Sequence, residues 1–234
     1  MSSPSEPDAA DGRVPHAGFK FFLATPVHDG WVHHAYMMGA VGALSAFQGE
    51  IIVHRQTHQP ASRDLLTSRF LASDATHMLC VDPDLGWGAA DVSKLLAADK
   101  DFAAGIYARK QPDRAPAAAF LEAREGALIE AADVGAGFLL LTRACVERLV
   151  AGYPQLNYDR QGERVCAIWT PVFDGAAHYS ADRTFCGRWR ALGGRIWVHS
   201  QVVLKRYAET SYYPQGFGAE PGTRPSSAPG KSQS

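Results

Sequence analysis

Short apolar runs, each too brief for a helix, recur along this chain and are separated by segments with helical spacing. That alternation limits the folds open to it more than any other feature. Residues 18–24 (GFKFFLA), 51–53 (IIV), 78–81 (MLCV), 102–106 (FAAGI) and 134–141 (VGAGFLLL) read as strands, with a short last one at 195–198. Between them, Met37, Ala40, Val41 and Leu44 follow the i, i+3, i+4, i+7 pattern of an amphipathic helix. Further helices are predicted over 62–73, around Val92, Leu95 and Leu96, and after Thr142, a cap for a helix carrying Val146, Leu149 and Val150. Phe185, Trp189 and Leu192 place another at about 181–192, stopped by Gly193-Gly194. Residues 25–30 read as a turn-rich loop, and 111–132 and 151–179 follow no clear period. Strands alternating with helices imply an α/β fold with a largely parallel core.

With 234 residues, 46% of them hydrophobic, the chain can bury one sizeable core. Residues 1–16 are polar and rich in Pro, Ser and Asp, and 218–234 read alike, so both are expected to be disordered around a single domain at 17–217. A net charge of −1 supplies no basic field, which disfavours nucleic acid as a partner. Cys80, Cys145, Cys166 and Cys186 lie far apart without a Cys-x-x-Cys pair, against structural zinc and a disulfide framework. Reduced, buried thiols in a cytoplasmic protein are expected instead. No run reaches membrane-spanning length, and the N-terminal segment has no apolar core of signal-peptide type. A peripheral membrane contact stays open.

The strand at 78–81 ends in Asp82-Pro83-Asp84. Ligands of open α/β sheets gather beyond the carboxyl ends of strands. Two acids there suit a hard divalent cation with a phosphate-bearing substrate. Taken alone, a pair of acids at a strand end more often simply caps the loop and helix that follow.

The run at 62–87, SRDLLTSRFLASDATHMLCVDPDLGW, resembles the centre of GT-A glycosyltransferases of the family-2-like group, where a helix with an Ala-Arg-Asn-like start precedes a strand ending in Asp-x-Asp. Here Ser62-Arg63-Asp64 stands at that start, with Asp64 in place of the usual amide. The resemblance extends over about 18–207. Ala24-Thr25-Pro26 resembles the first-strand loop that meets the nucleotide base, and Gly105 to Lys110 the Gly-x-Tyr-x-x-Lys turn. Val134 to Phe138, with Gly137, resembles the glycine strand lining the donor and acceptor cleft, and Ser180-Ala181-Asp182 the acidic helix start.

The resemblance implies a single-domain GT-A (Rossmann-like) fold and transfer of a sugar from a UDP- or GDP-type nucleotide-sugar donor to a hydroxyl of a glycan, lipid-linked or other acceptor, with inversion. It implies Mn²⁺ or Mg²⁺ held with the diphosphate by Asp82 and Asp84, and Thr25, Pro26 and Arg63 towards the nucleotide. Asp182 is the candidate base, which as a residue type is equally suited to favour the helix macrodipole. Lys110, Gly137 and Trp87 are candidate substrate contacts, Trp87 being the best placed of Trp31, Trp87 and Trp169 to stack on a sugar, with core packing the alternative for each.

Two positions depart from the group. Ala181 stands where relatives commonly carry Glu before the Asp, and Arg206 falls where they place a metal-binding histidine. Arginine cannot ligate a cation but pairs with phosphate oxygens. Either the metal loses a protein ligand, with His178 and His199 as substitutes, or Arg206 partly replaces it. His28, His33 and His34 cluster without zinc-like spacing, in a loop facing solvent or donor. Two rivals stay in view. A non-catalytic nucleotide-sugar binder is compatible with Ala181 and Arg206. A haloacid-dehalogenase-type phosphotransferase wants its Asp-x-Asp on the first strand and a later acidic pair, neither of which is present.

Overall fold

The structure, a computed structural model, describes residues 18–111 and 113–207. The two segments expected to be disordered, 1–16 and 218–234, lie outside the described residues.

The chain runs β1 (Lys20–Val27), α1 (His34–Ala46), β2 (Gln48–Arg55), α2 (Gln59–Ala72), β3 (His77–Val81), β4 (Leu85–Gly86), α3 (Ala89–Ala97) and β5 (Phe102–Tyr107). It continues through β6 (Ala118–Glu125), β7 (Leu128–Val134), β8 (Phe138–Thr142), α4 (Arg143–Gly152), β9 (Asn157–Arg160) and β10 (Glu163–Cys166). It then forms β11 (Val172–Phe173), β12 (His178–Tyr179), α5 (Ala181–Ala191) and β13 (Ile196–Arg206). The main sheet has the order β2-β1-β3-β8-β5-β13-β7-β6, with β4 against the end of β13. β1 is parallel to β2 and β3, and β5 to β13, while β8 and β7 run against their neighbours. The expected α/β architecture is therefore present as a mixed, mostly parallel sheet.

The central strands are apolar throughout because both faces of the sheet are covered. Alternate residues enter two separate cores. Phe22, Ala24, Met78, Cys80, Leu139 and Leu141 pack with α2, α4 and α5 residues such as Leu66, Val146 and Phe185. Phe21, Leu23, Leu79, Val81, Phe138 and Leu140 pack with Tyr36, Ala40, Val92 and Leu95 of α1 and α3. All four cysteines are free and buried.

Several helix ends follow their local chemistry. Thr142 Oγ1 accepts the Cys145 N–H at 3.1 Å, as expected of a cap. Arg143 then reaches across to the end of α2, donating to the carbonyls of Phe70, Leu71, Ser73 and Ala75 at 2.8–3.2 Å. Phe70 and Leu71 are in the last turn of that helix, and one guanidinium joins the Ser73 N–H in satisfying its terminal carbonyls.

Four expectations need correction. In α1 only Ala40 of the predicted stripe is buried; Met37, Val41 and Leu44 are exposed, and Tyr36, Gly39, Ala40 and Ala43 face inward. Gly39 explains the choice: a Cβ there would stand 2.6 Å from the Trp87 carbonyl oxygen, so the helix packs on its smallest side chains. Residues 25–27 are strand rather than loop, because β2 pairs them after β3 has stopped at Ala24. Pro26 is tolerated where the strand has one neighbour. Residues 118–134 form a β6–β7 hairpin turning at Gly126, whose φ is +58°; β6 is a largely exposed edge and so lacks an apolar period. Finally, β13 has 11 residues instead of a short run, with a register shift between Val198 and Val203. That extension carries Arg206 to the carboxyl ends of the other strands.

Candidate functional site

Four buried residues, Met78–Val81, drive β3 through the sheet, and the chain leaves it at Asp82. The Asp82 N–H donates to the Gly137 carbonyl at 2.9 Å. Pro83 has no N–H to satisfy, but its carbonyl accepts the His33 N–H at 2.8 Å, and the Asp84 carbonyl accepts the Tyr207 N–H at 2.7 Å. The rings of His33 and Tyr207 stack above this turn, 4.0 Å apart and 17° from parallel. His33 Nδ1 accepts the Ala35 N–H at 3.1 Å, which leaves Nε2 to carry the proton of the neutral ring. Burial and neighbouring His34 lower the pKa of His33 and favour that neutral form.

The acids themselves are paired. Arg63, buried on α2, donates from Nη2 to Asp82 Oδ1 at 2.9 Å and from Nη1 to Asp182 Oδ1 at 3.1 Å. Asp182 also accepts the Ala136 N–H on Oδ2 at 3.1 Å. Arg206 Nη2 meets Asp82 Oδ2 at 2.5 Å, and its Nε lies 3.4 Å from Asp84 Oδ1. Lys110 Nζ lies 2.6 Å from Asp84 Oδ2. Three carboxylates and three cations from five parts of the chain thus form one network. Burial opposes the charge on Arg63, yet Asp182 and Asp82 outweigh it and hold its pKa above the usual value. For Arg206, burial is likewise outweighed by Asp82, Tyr107 and Asp84. Removing one partner from so buried a pair leaves the other charge uncompensated, at about 3–5 kcal/mol.

Tyr107, at the end of β5, supports this network from below. Its Oη accepts the Gly137 N–H at 2.7 Å, and the Arg206 guanidinium sits 4.4 Å above its ring. A Cβ on Gly135 would fall 2.2 Å from Tyr107 Oη; one on Gly137 would fall 2.7 Å from it and 2.9 Å from Asp82 Oδ2. The two glycines are therefore required by close approach. On the other side of Arg63, the Trp169 ring lies 5.5 Å from the guanidinium and stacks on Phe185 at 3.6 Å. Asp64 anchors that loop, accepting the Trp169 N–H at 2.8 Å. Burial raises the pKa of Asp64 to about 7, against the opposing Trp169 hydrogen bond and Arg188 charge.

A cleft of about 680 Å³ opens over the network, with Asp82, Asp84, Lys110 and Arg206 on its floor and Trp31 and Tyr207 on its wall. Asp82, Asp84, Arg63, Arg206, Lys110 and Asp182, all named from sequence, are brought together here. Others are not. Thr25 is fully buried with its hydroxyl 2.6 Å from Tyr36 Oη, and Pro26 lies within β1, so the cleft wall beside them is made by His28 and Asp29. Trp87 is buried against Tyr36 and Phe138 and is a core residue; Trp169 is buried too. Trp31, 79% exposed at the cleft, is the tryptophan positioned for stacking. Gly137 acts through the room it leaves for Tyr107 and Asp82. Tyr107 was visible in sequence only as part of a turn; its Gly-x-Gly partner at 135–137 was the signal that could have found it.

The donor set does not fit a resident divalent cation. Both Asp82 oxygens are taken by guanidinium groups, and both Asp84 oxygens are sealed from solvent. Among the described residues no group of three His, Cys, Asp or Glu side chains could hold a metal. Neither proposed substitute is at the cleft: His199 pairs with Leu128 in the first half of β13, and His178 is exposed on β12.

Fold and site together define an α/β protein whose mixed, mostly parallel sheet, flanked by helices, carries a charged cleft at the carboxyl ends of its strands. No protein-family model matches the sequence, and no curated protein matches it. The structure of A197 from STIV shares the fold, with a TM-score of 0.52 at 15% identity over 88% of this chain and 98% of that one. A nucleoside-diphosphate-sugar pyrophosphorylase from Vibrio cholerae RC9 aligns with a TM-score of 0.40 at 10% identity, over 78% of this chain and 73% of that one. The inositol-1-phosphate CTP transferase from T. maritima aligns with a TM-score of 0.40 at 9% identity, over 78% and 84%. No described helix is long and apolar enough to cross a membrane.

Proposed function

We propose that this chain binds a nucleotide-diphosphate sugar in the cleft and transfers the sugar to an acceptor hydroxyl. The observation that carries this reading is the convergence of Asp82, Asp84, Lys110 and Arg206 on one cleft floor, tied through Arg63 to Asp182 at the start of α5. Lys110 and Arg206 offer N–H donors to the diphosphate, a leaving group that gains negative charge as its bond to the sugar breaks. Trp31 offers a face on which a base or sugar ring can stack. In the transfer step the acceptor oxygen bonds to the anomeric carbon, the carbon–oxygen bond to the diphosphate breaks with its electron pair, and the acceptor proton passes to Asp182. Arg63 Nη1, 3.1 Å from Asp182 Oδ1, holds that carboxylate in place.

One observation favours the rival reading of a nucleotide-sugar binder without turnover. Both Asp182 oxygens are already engaged, by Arg63 and by the Ala136 N–H. Thermal shift with UDP, GDP and their sugars, followed by turnover against glycan and lipid-linked acceptors, separates the two. Transfer predicts a nucleotide-dependent shift that Asp82→Asn with Asp84→Asn abolishes, and an Asp182→Asn variant that binds without turning over. Binding with no turnover by the wild type, unchanged in Asp182→Asn, supports the binder; no nucleotide shift at all overturns both.

A further inference from the structure

We infer that the anion site on the cleft floor works without a divalent cation: Arg206 and Lys110 take the phosphate charge, and Asp82 and Asp84 serve to aim them. This rests on the reading that a diphosphate enters this cleft.

The network's geometry separates the two kinds of ligand. A dication needs carboxylate oxygens, and those of Asp82 face Arg63 and Arg206 at 2.9 and 2.5 Å. The Asp84 oxygens are sealed beneath Lys110 and Arg206, at 2.6 and 3.4 Å. An entering ion would have to expel two cations and would find no third acidic, thiol or imidazole ligand among the described residues. A phosphate oxygen needs only N–H donors, which remain. A guanidinium has five and an ammonium three, while Arg206 faces the acids with Nη2 and Nε alone.

The two cations differ in freedom. Arg206 is fixed: its side chain is 9% exposed, it closes β13, and its guanidinium lies on the Tyr107 ring at 4.4 Å. Lys110 is 60% exposed on a flexible stem and can leave Asp84 to follow a ligand. Its ion pair with Asp84, like that of Arg206 Nε, is an attraction that an entering phosphate must replace with its own contacts to the same donors. The cluster is neutral as three acids against three cations. A diphosphate is therefore held by directed donors and the withdrawal of Lys110 from Asp84, rather than by an excess of positive charge.

The test uses the full chain, inorganic pyrophosphate, UDP and GDP, and Mn²⁺ alone. Titration calorimetry in EDTA should show pyrophosphate binding that added Mn²⁺ changes by less than about twofold, and electron paramagnetic resonance should find no stoichiometric Mn²⁺ on the free protein. Lys110→Ala should weaken metal-free pyrophosphate binding about tenfold, and Arg206→His should abolish it while creating a Mn²⁺-dependent site. Binding lost in EDTA and restored by Mn²⁺ overturns the inference, as does Mn²⁺ on the wild type that Asp82→Asn removes. Metal-free binding unchanged in Lys110→Ala overturns it even if Arg206→His fails to fold. Pyrophosphate bound in EDTA with no binding of UDP or GDP upholds the metal-free site and defeats the donor reading instead.

Discussion

Asp64 offers a sharp test of how burial governs this site. The residue is 2% exposed, and burial raises its pKa from 3.8 to about 7. A carboxyl group whose folded pKa lies above its unfolded value binds more protons when folded. Stability from this group is therefore full below about pH 4 and is lost as pH rises towards 7. At 1.36 kcal/mol per unit, a gap of about three units amounts to roughly 4 kcal/mol above neutrality, an upper figure because the Arg188 charge and solvent relaxation share the load. Asp64→Asn removes the titration but keeps the geometry: its amide oxygen can still accept the Trp169 N–H, now 2.8 Å away, and hold Trp169 under Arg63. Urea unfolding of both proteins at pH 5 and pH 8 gives the readout. The variant should be the more stable at pH 8, and its advantage should shrink by roughly 2–3 kcal/mol at pH 5. An advantage equal at both pH values would refute the raised pKa. A variant less stable at pH 8 would show that the Asp64–Arg188 attraction outweighs burial.

Three further outcomes are expected. Gly137→Ala places a methyl 2.7 Å from Tyr107 Oη and 2.9 Å from Asp82 Oδ2, so it should lower the urea midpoint by an amount worth about 1–3 kcal/mol and weaken pyrophosphate binding; wild-type stability would show that the neighbours yield freely. Arg143→Ala strips donors from the end of α2 and should cost about 2–3 kcal/mol by chemical denaturation, with ligand binding preserved in what remains folded. Trp31→Ala, at a 79% exposed position, should leave stability within about 0.5 kcal/mol of wild type. By calorimetry it should weaken nucleotide binding about tenfold with little change for pyrophosphate, since stacking on an aromatic ring contributes about 1–3 kcal/mol.

Local sequence determined the elements whose signals are local. The continuous apolar run Met78–Val81 and the Thr142 cap were legible because each depends on neighbours in the chain. So was the end of α5 at Gly193, whose φ is +81°. The acids at the end of β3 were legible as a site for the same reason: a buried strand must emerge somewhere, and it emerges at Asp82. What these residues hold was decided only in three dimensions. Arg206 meets Asp82 across 124 positions and Arg63 meets Asp182 across 119, separations at which spacing encodes no contact. The face that α1 turns inward followed from the close approach that Gly39 allows to Trp87, not from the side chains of its apolar stripe, and Trp87 is buried there while Trp31 is exposed at the cleft. The extra length of β13, invisible beyond its first few residues, is what brings an arginine to the acid pair. Sequence thus determined that carboxylates would stand at this strand end, and tertiary structure decided that guanidinium and ammonium groups face them, because oppositely charged side chains carried to a common buried site satisfy one another.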